Sequence, residues 1–183
     1  MNSTDIIKFA KIIGKSKKIR RTGWVREDIE SPESIAEHSF MLVVLAMVLA
    51  PILKVNQEKL VKMAIIHDLG ELITGDIVAE RGESVDSDIK AKKEKWEEKA
   101  VSGFLNPFGE EYQKIFHEMI QRETEEAKIF WQLDKLEMAF QAHLYQVEQK
   151  KDLKEFFDNA EVHITNSLLR DVLKNLRNLK SED

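Results

Sequence analysis

Glycine and proline supply only 7 and 3 of the 183 residues, under half of the roughly 12% share that average usage gives. A chain so short of turn formers cannot make the many tight reversals of a sheet protein, and it must run in long helices. The apolar pattern agrees: no run of four to eight residues alternates at period two, and there is no internal repeat or low-complexity segment. The expected fold is all-α. With 43% hydrophobic and 33% charged residues, the chain can bury enough apolar surface to offset its conformational entropy. Its length suits one compact domain, residues 1–183, and not two.

Capping signals divide the chain. Thr4 or Asp5 is placed to cap a first helix that carries Ile6, Ile7, Phe9, Ala10, Ile12 and Ile13 and ends near Gly14. A basic, turn-containing stretch follows over residues 15–34. Ser34 and Glu37 have the spacing of a capping box at the head of a strongly apolar helix that should stop at Pro51. Asn56 is placed to cap the next helix, EKLVKMAIIHDLGELI, whose apolar character is strongest just before His67-Asp68. Residues 80–87 read as a polar surface loop, residues 88–104 as a charged helix and residues 110–120 as a short one. Thr124 should cap the longest helix, with Glu125 and Glu126 set against the positive end of its dipole. A last helix is expected over residues 160–179.

Charge and composition exclude several functions. A net charge of −5 gives no field that draws a polyanion, so no nucleic-acid polymer is expected as partner. Zero cysteines exclude disulfides, thiolate metal sites and thiol nucleophiles. The first twenty residues lack the unbroken apolar core of a signal peptide. The longest apolar run, residues 40–53, falls short of the roughly 20 residues that span a bilayer. It reads as a buried core helix, with no membrane partner and a cytoplasmic setting expected.

The chemistry lies in polar groups at apolar positions. His67 and Asp68 close an otherwise core-like helix segment, and a carboxylate buried there without a partner costs several kcal/mol. Asp134 has the same setting, between Phe130 and Trp131 on one side and Met138 on the other. His38 stands in the first turn of another apolar helix. Taken singly each has a bland reading: a hydrogen-bonded core histidine, or Asp134 paired with Lys135. Together, two imidazoles and two carboxylates match one divalent ion, and mixed nitrogen and oxygen donors suit Mn, Fe, Co, Ni or Zn better than Mg or Ca. Glu71, four residues after His67, falls on the same helix face as a candidate general acid or base. Asp76, after a Gly75 hinge, brings another carboxylate toward that space. His117, His143 and His163 have no comparable setting.

The order H…HD…D resembles the HD-domain superfamily of metal-dependent phosphohydrolases. The segments RTGWV (residues 21–25), PESIAEHS (32–39), HDLGE (67–71), TGDI (74–77) and QLDKLEMAFQA (132–142) look like its 5'-deoxynucleotidase branch, over about residues 5–165. The resemblance implies a homodimeric all-α helical bundle that hydrolyses deoxyribonucleoside 5'-monophosphates to deoxynucleoside and phosphate with one divalent ion. It implies that His38, His67, Asp68 and Asp134 are the metal ligands, that Glu71 assists proton transfer, and that Asp76 orients water or substrate. It also implies that the Trp24 indole lies against the sugar and disfavours a 2'-hydroxyl. The bacterial enzyme has arginine immediately before its tryptophan, where this chain has Gly23. Arg21 is therefore the candidate phosphate holder, its planar fork suiting two phosphate oxygens.

Two rivals stand beside this reading. One is another HD-domain phosphohydrolase, acting on nucleoside triphosphates, alarmones or cyclic nucleotides. The other is a noncatalytic module in which the metal only staples the fold. The chain lacks the extra His-rich motifs of two-metal phosphodiesterases and the Glu-Asp pair that follows the His-Asp doublet of alarmone hydrolases. Glu71 and Asp76 would be superfluous beside a purely structural metal.

Overall fold

A computed structural model describes residues 2–75, 99, 101–103, 105 and 109–179. Among these residues the secondary structure is helical, apart from one antiparallel bridge between Arg20 and Ser34. The helices are α1 (Ser3–Ile13), followed by a 3₁₀ turn (Gly14–Lys17), α2 (Thr22–Arg26), α3 (Ile35–Leu53), α4 (Gln57–Ile66), α5 (Glu71–Thr74), α6 (Glu110–Gln121), α7 (Glu125–Gln149), α8 (Lys154–His163) and α9 (Ser167–Asn178). The expected loop at residues 80–87 lies outside the described residues, as does most of the charged helix expected at 88–104.

Helix starts follow side-chain chemistry. Ser34 opens α3 with the full capping box: its hydroxyl accepts the Glu37 N–H at 3.3 Å, and Glu37 accepts the Ser34 N–H at 2.6 Å. Asn56 and Thr124 cap α4 and α7 as expected. Helix α1 instead starts from Asn2, and Asp5 serves as the reciprocal partner in its capping box. Two stops differ from expectation. Helix α3 runs through Pro51 to Leu53, because the Met47 carbonyl that loses its helical donor there is taken by the Gln57 side-chain amide at 2.6 Å. The segment expected as one helix after Asn56 breaks after Ile66, and residues 67–70 continue as tight turns, with Leu69 N–H donating to Ile66 C=O and Glu71 N–H to Asp68 C=O.

The 25-residue α7 is the spine, about 37 Å long at 1.5 Å per residue. It packs against α3, α4, α6, α8 and α9, and Ala127, Phe130, Leu133, Leu136, Ala139 and Ala142 are buried along it. One continuous core joins these residues to Leu42, Ala46 and Ala50 of α3 and to Leu60, Met63 and Ala64 of α4. Expected to be a buried core helix, α3 buries one side and leaves the other exposed. Phe40, Val44, Met47, Val48 and Ile52 face outward along the other.

The last expected helix is two. The break between α8 and α9 contains neither glycine nor proline, and tertiary hydrogen bonds hold it. The buried Gln132 side chain accepts the N–H groups of Thr165 (2.8 Å) and Asn166 (2.7 Å), and Asn166 then caps α9. Gln132→Leu strands both amides, so it should cost about 1–3 kcal/mol in urea denaturation. Metal affinity measured by calorimetry should be unchanged.

Candidate metal centre

Three helical segments bring the predicted ligands together. His38 comes from the first turn of α3, His67 and Asp68 from the turn that ends α4, and Asp134 from the middle of α7; all four are buried. The two imidazole Nε2 atoms lie 3.2 Å apart. Asp68 Oδ2 is 3.0 Å from Nε2 of His67 and 3.8 Å from that of His38. Asp134 Oδ1 is 3.4 Å from His38 Nε2. Donors about 2.1 Å from one ion are separated by roughly 3.0–3.4 Å in octahedral or tetrahedral geometry. The ligand-type atoms of His38, His67 and Asp134 all lie within 4.8 Å of one another, a set that can hold one cation, and Asp68 Oδ2 stands beside His67.

The backs of the rings fix their chemistry. His38 Nδ1 lies 2.6 Å from Glu137 Oε2, and His67 Nδ1 lies 2.9 Å from the Ala64 carbonyl. Both neighbours accept, so each Nδ1 carries a hydrogen and Nε2 is the ring atom that each imidazole turns toward the other. Two lone pairs at 3.2 Å repel unless a proton or a metal lies between them. The donor set therefore fits a divalent ion on the geometry of its own atoms.

The electrostatics agree. Burial and Arg21 both disfavour charge on His38, but Glu137 and Asp134 outweigh them and push its pKa up to about 10. Burial opposes the charge on Asp68, while His67 and Arg21 overcome it and hold the carboxyl below its usual range. Asp134 is likewise held low despite its burial, chiefly by Lys135 and then by His38. Asp134 in fact serves two partners: Oδ2 accepts from Lys135 Nζ at 3.0 Å, and Oδ1 faces His38. The bland reading of Asp134 and the metal reading are both present in one side chain.

The remaining predicted residues divide. Arg21 reaches the centre, with Nη1 2.7 Å from Asp68 Oδ2 and 3.6 Å from Glu71 Oε2. Glu71 is buried beside it, at the start of α5 and not on a continuous α4 face. Trp24 is only 3% exposed. Its ring stacks on Phe156 with centroids 4.3 Å apart, meets Tyr145 edge-on at 5.3 Å, and donates its N–H to Glu33 at 2.8 Å. Trp24 is thus part of a packed wall. Asp76 lies outside the described residues; Gly75 before it has φ +83°, a conformation that a side chain would strain. His117 and His163 are exposed and His143 is half-buried, all away from the cluster.

Sequence reasoning missed Glu33 and Glu137. Glu137 is fully buried, and its spacing of three from Asp134 on α7 carries the same signal of charge in apolar surroundings. Glu33 precedes a helix cap in a loop, where no periodicity marks it. Its carboxylate lies within 4.8 Å of ligand-type atoms of both His38 and Glu137. Burial, and then the neighbouring Glu137, push its pKa up to about 7.

A family model for the HD domain matches residues 13–177. The Danio rerio protein named 5'-deoxynucleotidase HDDC2 is 34% identical over 178 residues, covering 94% of this chain and 86% of that protein. The Schizosaccharomyces pombe 5'-deoxynucleotidase hdd1 is 34% identical, over 84% of this chain and 80% of its own length. Among solved structures, a conserved hypothetical protein from Pyrococcus furiosus superposes with a TM-score of 0.78 at 32% identity, over 94% of this chain and 99% of that one. The all-α bundle with a buried His/Asp cluster is that of a metal-dependent phosphohydrolase. The chain belongs to the HD domain family.

His38 holds a proton up to about pH 10, and a metal ion must displace it. Below that pH, therefore, affinity should rise with pH, by up to about tenfold per unit for one proton released. Calorimetric titration of chelator-stripped protein with Mn between pH 6 and 9 measures this slope. Glu137→Gln, which removes the main carboxylate favouring that proton, should flatten it.

Proposed function

We propose that this protein is a metal-dependent 5'-deoxynucleotidase, hydrolysing deoxyribonucleoside 5'-monophosphates to deoxynucleoside and phosphate. The observation that carries this reading is the meeting of three mutually close metal-type donors, His38, His67 and Asp134, with Asp68 beside His67, the Arg21 guanidinium on Asp68 and the buried Glu71 carboxylate next to it. The names of the relatives support the substrate class. Two imidazole donors favour Mn, Fe, Co, Ni or Zn over Mg as the ion.

His38, His67, Asp68 and Asp134 would hold the metal, which when bound polarises a phosphoryl oxygen and acidifies water. Arg21, now paired with Asp68, turns its fork to the phosphate and offsets charge developing on the equatorial oxygens. Glu71 accepts the proton of the attacking water as the new O–P bond forms. The same carboxyl returns a proton to the 5'-oxygen as the ester P–O bond breaks. Asp76 orients that water or the substrate. Trp24 forms the wall on the sugar side.

A second copy of the chain is the partner inferred for the outer face of α3. Its exposed apolar residues from Phe40 to Ile52 span about 18 Å, and no Asp, Glu, Lys or Arg occurs between Ser39 and Leu53. A two-fold pairing of this helix with itself matches an uncharged stripe to an uncharged stripe. The net charge of −5 disfavours an anionic membrane as the alternative. Free deoxynucleotides are intracellular solutes, and we place the enzyme with them in the cytoplasm.

Phosphate release from 5'-deoxy- and 5'-ribonucleotides by stripped protein, with Mn, Co, Ni, Zn or Mg restored, tests the activity. Release should favour deoxymonophosphates and vanish in Asp68→Ala. Glu71→Ala should keep metal affinity and lose at least about 100-fold in kcat; retained turnover would leave Glu71 without a chemical role. Silence of the wild-type protein with every nucleotide and metal would reject the nucleotidase reading. Light scattering at micromolar concentration should give twice the 21.2 kDa chain mass, and Met47→Glu should return it to the single-chain value.

A further inference from the structure

Glu33 holds two residues of the proposed substrate side from one point in the chain. Its carboxylate accepts the Trp24 indole N–H at 2.8 Å, and its backbone carbonyl accepts the Arg21 N–H at 3.0 Å. Its own N–H donates to the Tyr145 hydroxyl at 2.8 Å, tying the segment to α7. The next residues extend the pairing: Arg20 bridges Ser34, and Ile35 N–H donates to the Ile19 carbonyl at 3.0 Å. Tyr145 also meets the edge of the Trp24 ring, while Phe156 covers its face. Each fixed point of the indole therefore leads back to Glu33 or to a group bonded to it, apart from Phe156.

We propose that Glu33 is a specificity-determining positioning residue, which sets the place of the Trp24 ring and of the Arg21 backbone and so fixes the distance between the sugar wall and the phosphate holder. The proposal rests on the reading of the site as one for deoxynucleoside monophosphates. Its physical basis is the weakness of shape alone as a discriminator: a yielding apolar pocket rejects an added hydroxyl by only about 100-fold. A wall that excludes a 2'-hydroxyl must not move. The indole is held against movement by a buried hydrogen bond to a carboxylate, stronger than one between neutral groups. The Nδ1 atoms of the two imidazoles are held by other groups, Glu137 and the Ala64 carbonyl.

Glu33→Leu removes the acceptor, and Glu33→Gln keeps an oxygen in its place. In the Leu variant the Trp24 indole N–H, one of three tryptophan signals in a ¹⁵N-resolved spectrum and assigned with Trp24→Phe, should lose its hydrogen-bonded shift and exchange faster with solvent. The preference for deoxy- over ribomonophosphates should fall about tenfold, through KM and not kcat, and Glu33→Gln should restore it. Mn affinity should escape the 10–100-fold loss expected of a residue that orients a metal ligand. Should the Leu variant not fold, Tyr145→Phe keeps the indole and removes the hydroxyl that holds the Glu33 N–H, and it should lower the preference in the same direction. An unchanged sugar preference overturns the proposal, as does a 10–100-fold drop in Mn affinity, which would make Glu33 a support of the metal. If the wild-type protein hydrolyses neither sugar series, the nucleotidase reading fails; the indole signal and Mn affinity then still decide whether Glu33 holds Trp24 independently of the metal.

Discussion

Everything in this site depends on how buried negative charge is balanced. Glu33, Asp68, Glu71, Asp134 and Glu137 are all buried within the helical core. Arg21 and Lys135 answer two of the five, through Asp68 and Asp134. A divalent ion among His38, His67, Asp68 and Asp134 would answer two more. Burial, and then Glu137, push the pKa of Glu33 up to about 7, which eases part of the charge that is left. An uncompensated buried carboxylate costs several kcal/mol, so the site reads as a charge-balanced cluster built around a cation.

The helices supply the fixed frame for this balance. The capping box at Ser34 sets where α3 begins and therefore where His38 stands on it. The break after Ile66 is equally consequential. Successive residues on a regular helix diverge by about 100°, yet His67 Nε2 and Asp68 Oδ2 come within 3.0 Å, as they can where the helix gives way to tight turns. Helix α7 carries Asp134 and Glu137 three residues apart, so one element would supply a ligand to the proposed ion and supplies the acceptor behind the His38 ring. Orientation from behind of this kind fixes both the tautomer and the basicity of a metal-binding histidine.

The fold class, most helix starts and the residues of the buried His/Asp cluster were legible in the sequence, because capping and buried charge are local signals. Ser34, Asn56 and Thr124 are recognisable from their own neighbours, and His67-Asp68 and Asp134 stand out against the apolar residues around them. What was not legible depends on distant partners. Gln132 creates the break between α8 and α9 from 33 positions away, and Gln57 lets α3 pass Pro51 by taking a carbonyl of the preceding helix. Glu33 carries no mark in its own segment; its meaning comes from Trp24, Tyr145 and Glu137, which the fold assembles around it. The packing of Trp24 against Phe156 and Tyr145 is likewise set by residues more than 100 positions away, which nothing in its own segment reveals.

The two ends of the proposed substrate site are therefore built for different tasks. At the phosphate end, Arg21 is partly exposed on a long flexible stem and is paired with Asp68 and Glu71. It can exchange carboxylate oxygens for phosphate oxygens without a change in the backbone. The sugar end has a flat ring held at one face, one edge and its N–H, tied to a backbone that is bonded in turn to α7. Charge neutralisation tolerates adjustment, since Coulomb attraction changes gradually with distance. Steric exclusion does not, because a displacement comparable to an oxygen atom removes the clash. A mobile cation and an immobile wall follow from those two distance laws.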